Sequence, residues 1–565
     1  MKSKIYIPLI IAVLILNACQ KLDMEVMTGL TEDVANTNYG YTMGRAAALY
    51  IDLPAGFLSV DGAMMASATD EAEHTLETSD IQKFNVGSWD SYNNPDDAWS
   101  QNYAAIRKVN LFLENSSNVN LDANRLNPAK QSVYLAQLAE VKRWKYEARF
   151  LRAFYYFELV KHYGGVPLLK RPMSISDDYK NITRNTLADC IKFITDECDS
   201  AATVLPVTYT STDLGRATKG AALALKSRVL LYAASDLYND SSWAKGYSHP
   251  ELISLTGDRT SKWQAAADAA KAFLNLPGTG YTLSANYGSL FNTSNFTSSE
   301  IILARRDGGT NSFEIASYPV GYDLGKSGTT PSQNLIDAYE MTNGKPITDL
   351  TSGYDPQNPY NGRDPRLSLS VLTNNTTFKG RPVECWVGGR DGYGIQLATK
   401  TGYYLKKYVD GSLDLLLGRT SVHSWILIRL PEIWLNYAEA LNECSAGHPD
   451  IKTYVDLVRH RTGVAMPALP AGLSQAEMRD RIRNERRVEF AFENHRFWDV
   501  RRWMLGTVYF NVPLKGMRIT KNPDDTFTYQ VTDVEDRVFE PKMYFYPIPV
   551  SETLLADGLV QNPLW

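Results

Sequence analysis

The chain has 565 residues, more than one ordinary domain core contains, so several subregions are expected. Its residues are 44% hydrophobic and 21% charged, values that are typical of a globular protein. The formal net charge is −5 at pH 7, whereas domains that bind nucleic acid are usually basic. A nucleic-acid partner is therefore not expected.

Residues 1–18 have the organisation of a signal peptide. Two lysines near the start precede the apolar stretch 5–16, which is too short to span a bilayer, since a spanning helix needs about 20 residues. The stretch ends in Leu16-Asn17-Ala18-Cys19, which resembles a lipobox. We therefore expect Cys19 to carry a lipid anchor that attaches the protein to a membrane, and residues 19–45 to form an extended leader.

Apolar residues at helical spacing predict a mainly α-helical protein. Long helices are predicted over residues 97–114, 137–162, 186–205, 218–235, 261–276, 425–445, 450–462 and 474–503. Several of these segments are rich in alanine, and small residues allow neighbouring helices to approach closely. Helix pairs of this length fit tetratricopeptide-like units, which predicts an N-terminal helical region at 46–276 and a C-terminal helical region with an irregular tail at 425–565.

The segment 277–424 has a different composition. Glycine, asparagine, threonine, serine and tyrosine dominate it, and short strands are predicted at 300–304 and 367–372. Long ordered loops within a compact protein are uncommon and often functional. We therefore expect this loop-rich region to have a functional role.

Catalytic motifs are missing from the sequence. It contains no H-E-x-x-H, G-x-S-x-G or EF-hand pattern. Glu485, Glu489 and Glu493 stand four residues apart, but arginines alternate with them, which predicts ion pairs rather than a glycan-hydrolysing carboxylate pair. The protein is therefore not expected to be an enzyme.

Cofactor ligands are not apparent either. The cysteines and histidines lack metal-binding spacing, so neither a metal nor another cofactor is expected. The segment Asn93–Asp97 leaves two interpretations open, because its side chains could bind a structural Ca²⁺ or form a turn and a helix cap.

Aromatic residues outside the predicted helices are the main candidates for ligand binding. A ring offers a flat apolar face that suits the C–H face of a sugar, while neighbouring polar groups can bind hydroxyls. The aromatic candidates are Trp89, Tyr92, Phe313, Tyr318, Tyr322, Trp386 and Tyr393, and the polar candidates are Asp70, His74 and Asn93.

Several motifs along the chain carry a family resemblance. They are Glu147-Ala-Arg-Phe-Leu-Arg-Ala153 with Gly164-Gly-Val-Pro167, Gly215-Arg-Ala-Thr-Lys-Gly-Ala-Ala222, Arg363-Asp-Pro-Arg366, Thr401-Gly-Tyr-Tyr404, Ile428-Arg-Leu-Pro-Glu-Ile-Trp-Leu-Asn-Tyr-Ala-Glu-Ala440, Asn484-Glu-Arg-Arg-Val-Glu489, Arg496-Phe-Trp-Asp499 and Tyr546-Pro-Ile-Pro549. In this order behind a lipobox, they resemble the SusD/RagB family of outer-membrane glycan-binding lipoproteins over nearly the whole chain.

The resemblance implies about four tetratricopeptide-like helix pairs and a loop-rich half that carries the ligand site. It also implies a location on the outer membrane of a Gram-negative cell, facing the exterior. The implied partner is a SusC-like TonB-dependent barrel, over which the lipoprotein sits as a hinged lid and to which it delivers a glycan ligand.

The resemblance places ligand aromatics before the first helix pair, where Trp89 and Tyr92 lie, and in the irregular middle. Relatives often have tryptophans in the middle region, but this chain has none between Trp263 and Trp386. The ligand class therefore stays open between a glycan and a peptide or glycopeptide, with a surface glycosidase as a third reading. If Trp89 binds glycan, Trp89→Ala should weaken polysaccharide binding without lowering the melting temperature.

Overall fold

The computed structural model describes residues 32–210, 213–292 and 295–565. Within them, eight helices have eleven residues or more. They are α1 (Ala98–Asn115), α2 (Gln131–Tyr163), α3 (Leu187–Val204), α4 (Lys219–Ala234), α5 (Arg259–Leu274), α6 (Leu430–Cys444), α7 (Pro449–Arg459) and α8 (Gln475–Glu489). The predicted signal peptide and lipid-bearing Cys19 lie outside the described residues.

The long helices stack in chain order. Each helix from α1 to α5 packs against the next one, and α6 packs against both α7 and α8. Eight helices in consecutive contact make four pairs, so the predicted tetratricopeptide-like scaffold is confirmed. The loop-rich region lies between α5 and α6, in the middle of the third pair.

Polar caps and buried faces explain where these helices form. Asp97, Thr186, Thr218 and Ser474 each accept a hydrogen bond from a backbone N–H in the first turn of the helix that follows. In α2 every residue from Phe150 to Tyr163 is buried, because other helices cover this half from several sides.

Besides several 3₁₀-helices, the described chain has ten shorter α-helices. They are Glu32–Thr37, Tyr39–Ala48, Gln82–Val86, Asp122–Arg125, Ser312–Ser317, Gln333–Ala338, Pro365–Ser370, Arg496–Arg502, Gly506–Tyr509 and Val550–Leu555, all within the described ranges. The first two correct the predicted extended leader, because residues 32–48 are largely helical. Asn38 caps the second of them by accepting a hydrogen bond from the Tyr41 N–H.

Short strands form two-stranded antiparallel sheets throughout the described part of the chain. The pairs are β1 (Ala72–His74) with β3 (Thr329–Pro331), β2 (Ile301–Arg306) with β8 (Ser424–Arg429), β4 (Val371–Leu372) with β7 (Tyr404–Leu405), β5 (Thr377–Phe378) with β6 (Arg381–Pro382), and β9 (Leu514–Lys521) with β10 (Phe527–Glu535). The β2–β8 pair brings the two ends of the loop-rich region together.

Four local predictions are corrected. The predicted strand 367–372 is mostly the helix Pro365–Ser370, and only Val371–Leu372 is a strand. The segment 425–429 is a strand, and because it is buried along its whole length its apolar run gave no period. The predicted helix 474–503 is broken after Glu489, where Phe492 and Asn494 adopt left-handed backbone conformations. The tail after Met504, predicted to be irregular, contains the β9–β10 hairpin.

A buried ion-pair network joins the loop-rich region to the helices. The Glu489 carboxylate, at the end of α8, binds the guanidinium groups of Arg366, Arg429 and Arg461 at 2.9, 2.5 and 2.7 Å. Arg366 lies in the loop-rich region and Arg429 ends β8. Glu485 and Glu489 do form ion pairs, but the predicted pairing along one helix is wrong: their arginine partners lie outside α8, and the pairs are buried rather than exposed.

Candidate functional site

One surface of the loop-rich region is built around the β5–β6 hairpin. Arg381, in β6, makes two parallel hydrogen bonds to the Asp391 carboxylate, at 2.7 and 2.9 Å. The same carboxylate accepts a hydrogen bond from the Gly321 N–H at 3.1 Å. Because Asp391 is fully buried, this bidentate contact fixes the arginine in one orientation.

Tyr322 lies directly beneath this arginine. The Arg381 guanidinium carbon is 3.6 Å from the ring centroid, and the Tyr322 hydroxyl donates a hydrogen bond to the Arg381 carbonyl at 3.2 Å. Burial raises the pKa of Tyr322 to about 12 although the arginine opposes the shift, so the hydroxyl is neutral at physiological pH. The ring is only 8% exposed, and it therefore supports the arginine rather than facing solvent.

Two further aromatic rings reach the surface beside this pair. Trp386 is partly exposed and Tyr393 is 49% exposed. The Lys521 ammonium lies 5.6 Å from the Trp386 ring, and the Arg518 guanidinium lies 4.8 Å from the Tyr393 ring. Both cations belong to β9.

The segment that carries these rings is tightly held. The Val387 N–H donates to the Ile519 carbonyl of β9 at 2.9 Å. At Gly392, a Cβ atom would lie 1.8 Å from the Trp386 carbonyl oxygen, so only glycine allows the loop to close. Exposed Arg390 pairs with Glu384 at 2.8 Å. We call the face formed by Arg381, Trp386, Arg390, Tyr393, Arg518 and Lys521 the 381–393 surface.

Tyr92 and Asn93 lie in the loop before α1, beside the C-terminal segment, where the Val550 N–H donates to the Ser91 carbonyl. The Asn93 side-chain Oδ1 accepts from the Asp90 N–H at 2.9 Å, and the Asp90 carboxylate accepts from the Tyr92 N–H at 2.8 Å. These bonds hold the turn, and the Tyr92 side chain at its tip is 79% exposed. Both residues remain accessible candidates, on a different loop from the 381–393 surface.

The other aromatic candidates are buried. Trp89 is 1% exposed, Phe313 2% and Tyr318 0%. Phe313 packs on Phe57 at 4.8 Å, and the Tyr318 hydroxyl donates to the Asp410 carbonyl. These rings lie under the loops, so the structure does not support the prediction that they stack on a ligand.

The polar candidates Asp70 and His74 are also buried, at 4% and 5% exposure. Asp70 binds both Arg487 and Arg496, at 2.7 and 2.8 Å, and these pairs hold its pKa below the ordinary value although burial opposes the shift. His74 is part of β1 and pairs with Thr329 of β3. The expectation that this acidic stretch meets sugar hydroxyls is therefore corrected, because its side chains are enclosed.

The segment Asn93–Asp97 acts as a turn and a helix cap. The Asp97 carboxylate accepts from the Ser100 N–H at the start of α1, and the Asn94 side-chain Oδ1 accepts from the Asp96 N–H. Asp96 accepts from the Tyr546 hydroxyl at 3.1 Å. Among the described residues, no group of three or more His, Cys, Asp or Glu side chains is arranged to hold a metal.

The cationic members of the 381–393 surface were missed by sequence reasoning. The run Gly388-Gly-Arg-Asp-Gly-Tyr393 contains the only available local signal, a glycine-rich turn with an arginine and a tyrosine. Arg518 and Lys521 come from a hairpin more than a hundred residues away, so no local pattern connects them with Tyr393.

The fold and this surface define a helical-repeat scaffold with an aromatic and cationic face on its loop-rich half. Two family models match the chain: the SusD family over residues 293–565, and a model described as "Starch-binding associating with outer membrane" over residues 58–231. The chain belongs to the SusD/RagB family.

Individual relatives agree with this assignment. SusD-like protein P2 of Formosa agariphila is 25% identical over 471 residues, which are 82% of this chain and 79% of that protein. The crystal structure of a SusD-like protein from Bacteroides fragilis has 27% identity and a TM-score of 0.78, and the match covers 95% of this chain and 99% of that one. A SusD-like carbohydrate-binding protein from the same species has 24% identity, a TM-score of 0.75, and coverage of 93% and 99%.

Proposed function

We propose that this protein captures glycans outside the cell and delivers them to a SusC-like TonB-dependent barrel. The observation that carries the proposal is the 381–393 surface, where two accessible aromatic rings lie beside several guanidinium groups. One structural relative is described as a carbohydrate-binding protein, which supports the same ligand class.

The chemistry of the surface suits a neutral or weakly acidic glycan. The Trp386 and Tyr393 rings offer apolar faces for the C–H face of a pyranose. Arg390 offers N–H donors for hydroxyl oxygens. Arg381 can add only its Nε–H, because its Nη hydrogens are bonded to Asp391, Pro382 and Gly321. Because Asp391 and Glu384 already orient these arginines, little side-chain entropy is lost on binding. An open, shallow face of this kind gives weak affinity, which suits capture followed by release.

Location and partner complete the proposal. The lipobox-like ending at Cys19 supports a lipid anchor on the outer membrane, with the protein facing the exterior. Among the described residues, no helix is both long enough and apolar enough to cross a bilayer. The barrel partner follows from membership of the family, and co-purification from membranes would test it.

We also propose that the protein is not an enzyme. The carboxylates that stand four residues apart on and just after α8 bind arginines: Glu485, for example, binds Arg366 and Arg459 at 2.6 and 2.9 Å. A carboxylate whose two oxygens are each bound to an arginine is not placed to protonate a glycosidic oxygen. Release of reducing sugar from a glycan panel by the purified protein would contradict this.

The binding experiment uses the lipid-free protein from Gln20 onward, with polysaccharides and casein-type peptides in affinity gels and by calorimetry. We expect at least one polysaccharide to bind, and Tyr393→Ala and Trp386→Ala each to weaken that binding about tenfold, since stacking on one ring contributes roughly 1–3 kcal/mol in comparable planar contacts. Tyr92→Ala tests the separate loop before α1.

A matched control comes from Tyr179, which is 41% exposed but lies in the loop between α2 and α3. Tyr179→Ala should leave binding unchanged. Equal affinity of wild type and both ring variants would remove the 381–393 surface from the site. Binding of peptides alone would replace the glycan proposal with a peptide receptor.

A further inference from the structure

A cavity of about 620 Å³ lies inside the protein, away from the 381–393 surface. Helices α1, α2, α4 and α6 line it, together with the segments 51–59 and 493–498. Exposed Gln101 and Ala104 of α1 are at its mouth. None of the residues that form the 381–393 surface lines it, and its volume lies in the range of small-molecule sites.

The charged groups in the wall of this cavity are already paired. Lys161 binds Glu158 at 2.7 Å, and Arg228 binds Glu432 through Nε at 2.6 Å. The remaining charged lining residues have partners as well: Arg486 with Asp499, Asp96 with His162, Glu493 with Arg429, Arg305 with Asp307, and Asp52 with Lys108. A charged ligand would therefore find no unpaired counter-charge among the described residues.

Neutral polar groups in the same wall are unpaired. The Asn436 Nδ2, the Asn494 Oδ1 and the Trp498 indole N–H are buried and have no hydrogen-bond partner among the described residues. Asn436 is 1% exposed and Trp498 5%. Buried polar groups are nearly always hydrogen-bonded in folded proteins, so three unpaired groups on one cavity indicate that something else satisfies them.

His495 adds a fourth neutral group to the lining. Burial first, and then the nearby Arg228 and Arg486, hold the pKa of its imidazole well below the ordinary value. The ring is therefore uncharged at neutral pH and presents one donor and one acceptor. Glu432, its nearest carboxylate at 3.9 Å, is occupied by Arg228.

We propose that this cavity binds a neutral polyhydroxylated molecule, a sugar of one or two rings, through the amides of Asn436 and Asn494 and the indole N–H of Trp498. Hydroxyl groups both donate and accept, so they match an amide N–H, an amide oxygen and an indole N–H at the same time. Trp425, also in the lining, contributes apolar surface. The inference is independent of whether a glycan binds at the 381–393 surface.

The test titrates glucose, galactose, mannose, xylose, maltose and cellobiose into the lipid-free protein by calorimetry and saturation-transfer NMR. At least one sugar should bind saturably at millimolar concentrations or below. Asn494→Gly removes the amide oxygen while keeping the left-handed backbone, at φ 65°, which glycine adopts readily. It should weaken binding about five- to tenfold, as should Trp498→Phe.

A blocking variant and its control separate this cavity from other sites. Ala104→Trp places a large ring at the mouth and should abolish sugar binding, whereas Ala265→Trp, at an exposed alanine of α5 outside the lining, should not change it. Tyr393→Ala should also leave it unchanged, whatever it does to polysaccharide binding.

Four results would overturn the proposal. The first is that no sugar binds saturably to the wild type and that crystals soaked in the sugars have only water in the cavity. The second is that both Asn494→Gly and Ala104→Trp retain full affinity. The third is that the protein binds glucuronic acid in preference to the neutral sugars. Loss of sugar binding in Tyr393→Ala alone would place the sugar at the 381–393 surface and would equally overturn it.

Discussion

The indole of Trp89 is enclosed by three aromatic rings. Those of Phe84, Tyr546 and Trp565 have centroids 4.9, 5.0 and 4.8 Å from it. Trp89→Ala would leave a large void, so we expect it to lower the free energy of unfolding by about 3–5 kcal/mol, measured by urea denaturation. Tyr92→Ala, three residues away and exposed, should change it by no more than about 0.5 kcal/mol. An unchanged transition midpoint for Trp89→Ala would contradict the buried placement.

The contrast between Trp89 and Tyr92 shows what could not be predicted from the sequence at the site. Both residues stand in the same polar stretch, so their local patterns are alike. The partners that bury Trp89 include Tyr546 and Trp565 at the other end of the chain. Whether a loop aromatic is exposed depends on such distant partners. The part of the chain that carries candidate residues was therefore predictable, but which of its side chains are accessible to a ligand was not.

Glu71 should make stability depend on pH on the alkaline side. Burial, reinforced by the adjacent Asp70 charge, raises its pKa from 4.5 to about 8. The folded protein therefore favours the protonated carboxyl, and this contribution is complete below pH 4.5 and is lost as the pH rises through 8. A difference of this size corresponds to a few kcal/mol, since one pKa unit is about 1.4 kcal/mol.

Glu71→Gln keeps a neutral side chain at every pH. We expect its free energy of unfolding to exceed that of the wild type at pH 9 and to approach it near pH 4, measured by denaturation at a series of pH values. Glu77→Gln, whose side chain is 77% exposed, is the control and should follow the wild-type curve. Parallel curves for Glu71→Gln and wild type would exclude the raised pKa.

The end of α2 depends on Gly164 for two reasons. Its φ of 75° is in the left-handed region, and a Cβ atom there would lie 2.4 Å from the Leu252 carbonyl oxygen. Gly278 has the same φ, but a Cβ atom there would meet nothing within 4 Å. Gly164 therefore has a backbone clash that Gly278 does not have.

Gly278→Ala should cost about 1 kcal/mol, the usual penalty of a left-handed alanine. Gly164→Ala should cost several kcal/mol, because the loop that carries Leu252 must move as well. Thermal denaturation of both variants measures the difference. Equal melting temperatures would show that the packing of α2 against that loop is not tight.

The elements that were predicted correctly are those whose signals lie within their own sequence. The long helices have cap residues such as Asp97 and Thr218 and continuous helical periodicity, and their observed bounds are mostly within two residues of the predicted ones. The strand 424–429 and the break after Glu489 depend instead on contacts made elsewhere. Strand β8 pairs with β2, more than a hundred residues earlier, and this pairing decides the conformation of an apolar run that would otherwise fit a helix.

Buried ion pairs join the loop-rich region to the helical scaffold, and the partners in these pairs were not predictable from the sequence. Arginines alternating with Glu485, Glu489 and Glu493 predicted ion pairs along one helix. The structure shows that Glu489 pairs with arginines from the loop-rich region, from β8 and from the segment after α7. Three guanidinium groups outweigh the effect of burial and hold the pKa of Glu489 far below its ordinary value.

Glu489→Gln should destabilise both halves together. The substitution leaves Arg366, Arg429 and Arg461 short of one buried negative charge, and breaking such a network typically costs about 3–5 kcal/mol. Hydrogen exchange should therefore speed up in β2 and β8 as well as in α8.

Glu197→Gln is the matched control, because Glu197 is buried to a similar degree and its ion-pair partners in the described part of the chain are Arg149 and Arg152, both of α2. It should speed up exchange in α2 and α3 and leave β8 protected. The difference in free energy of unfolding between Glu489→Gln and the wild type should narrow as the pH falls below about 4.5. A carboxylate with a lowered pKa contributes its full stability only above its unfolded pKa, and this contribution is lost progressively at lower pH. If β8 keeps its protection in Glu489→Gln, the loop-rich half is held on the scaffold by apolar packing and not by this network.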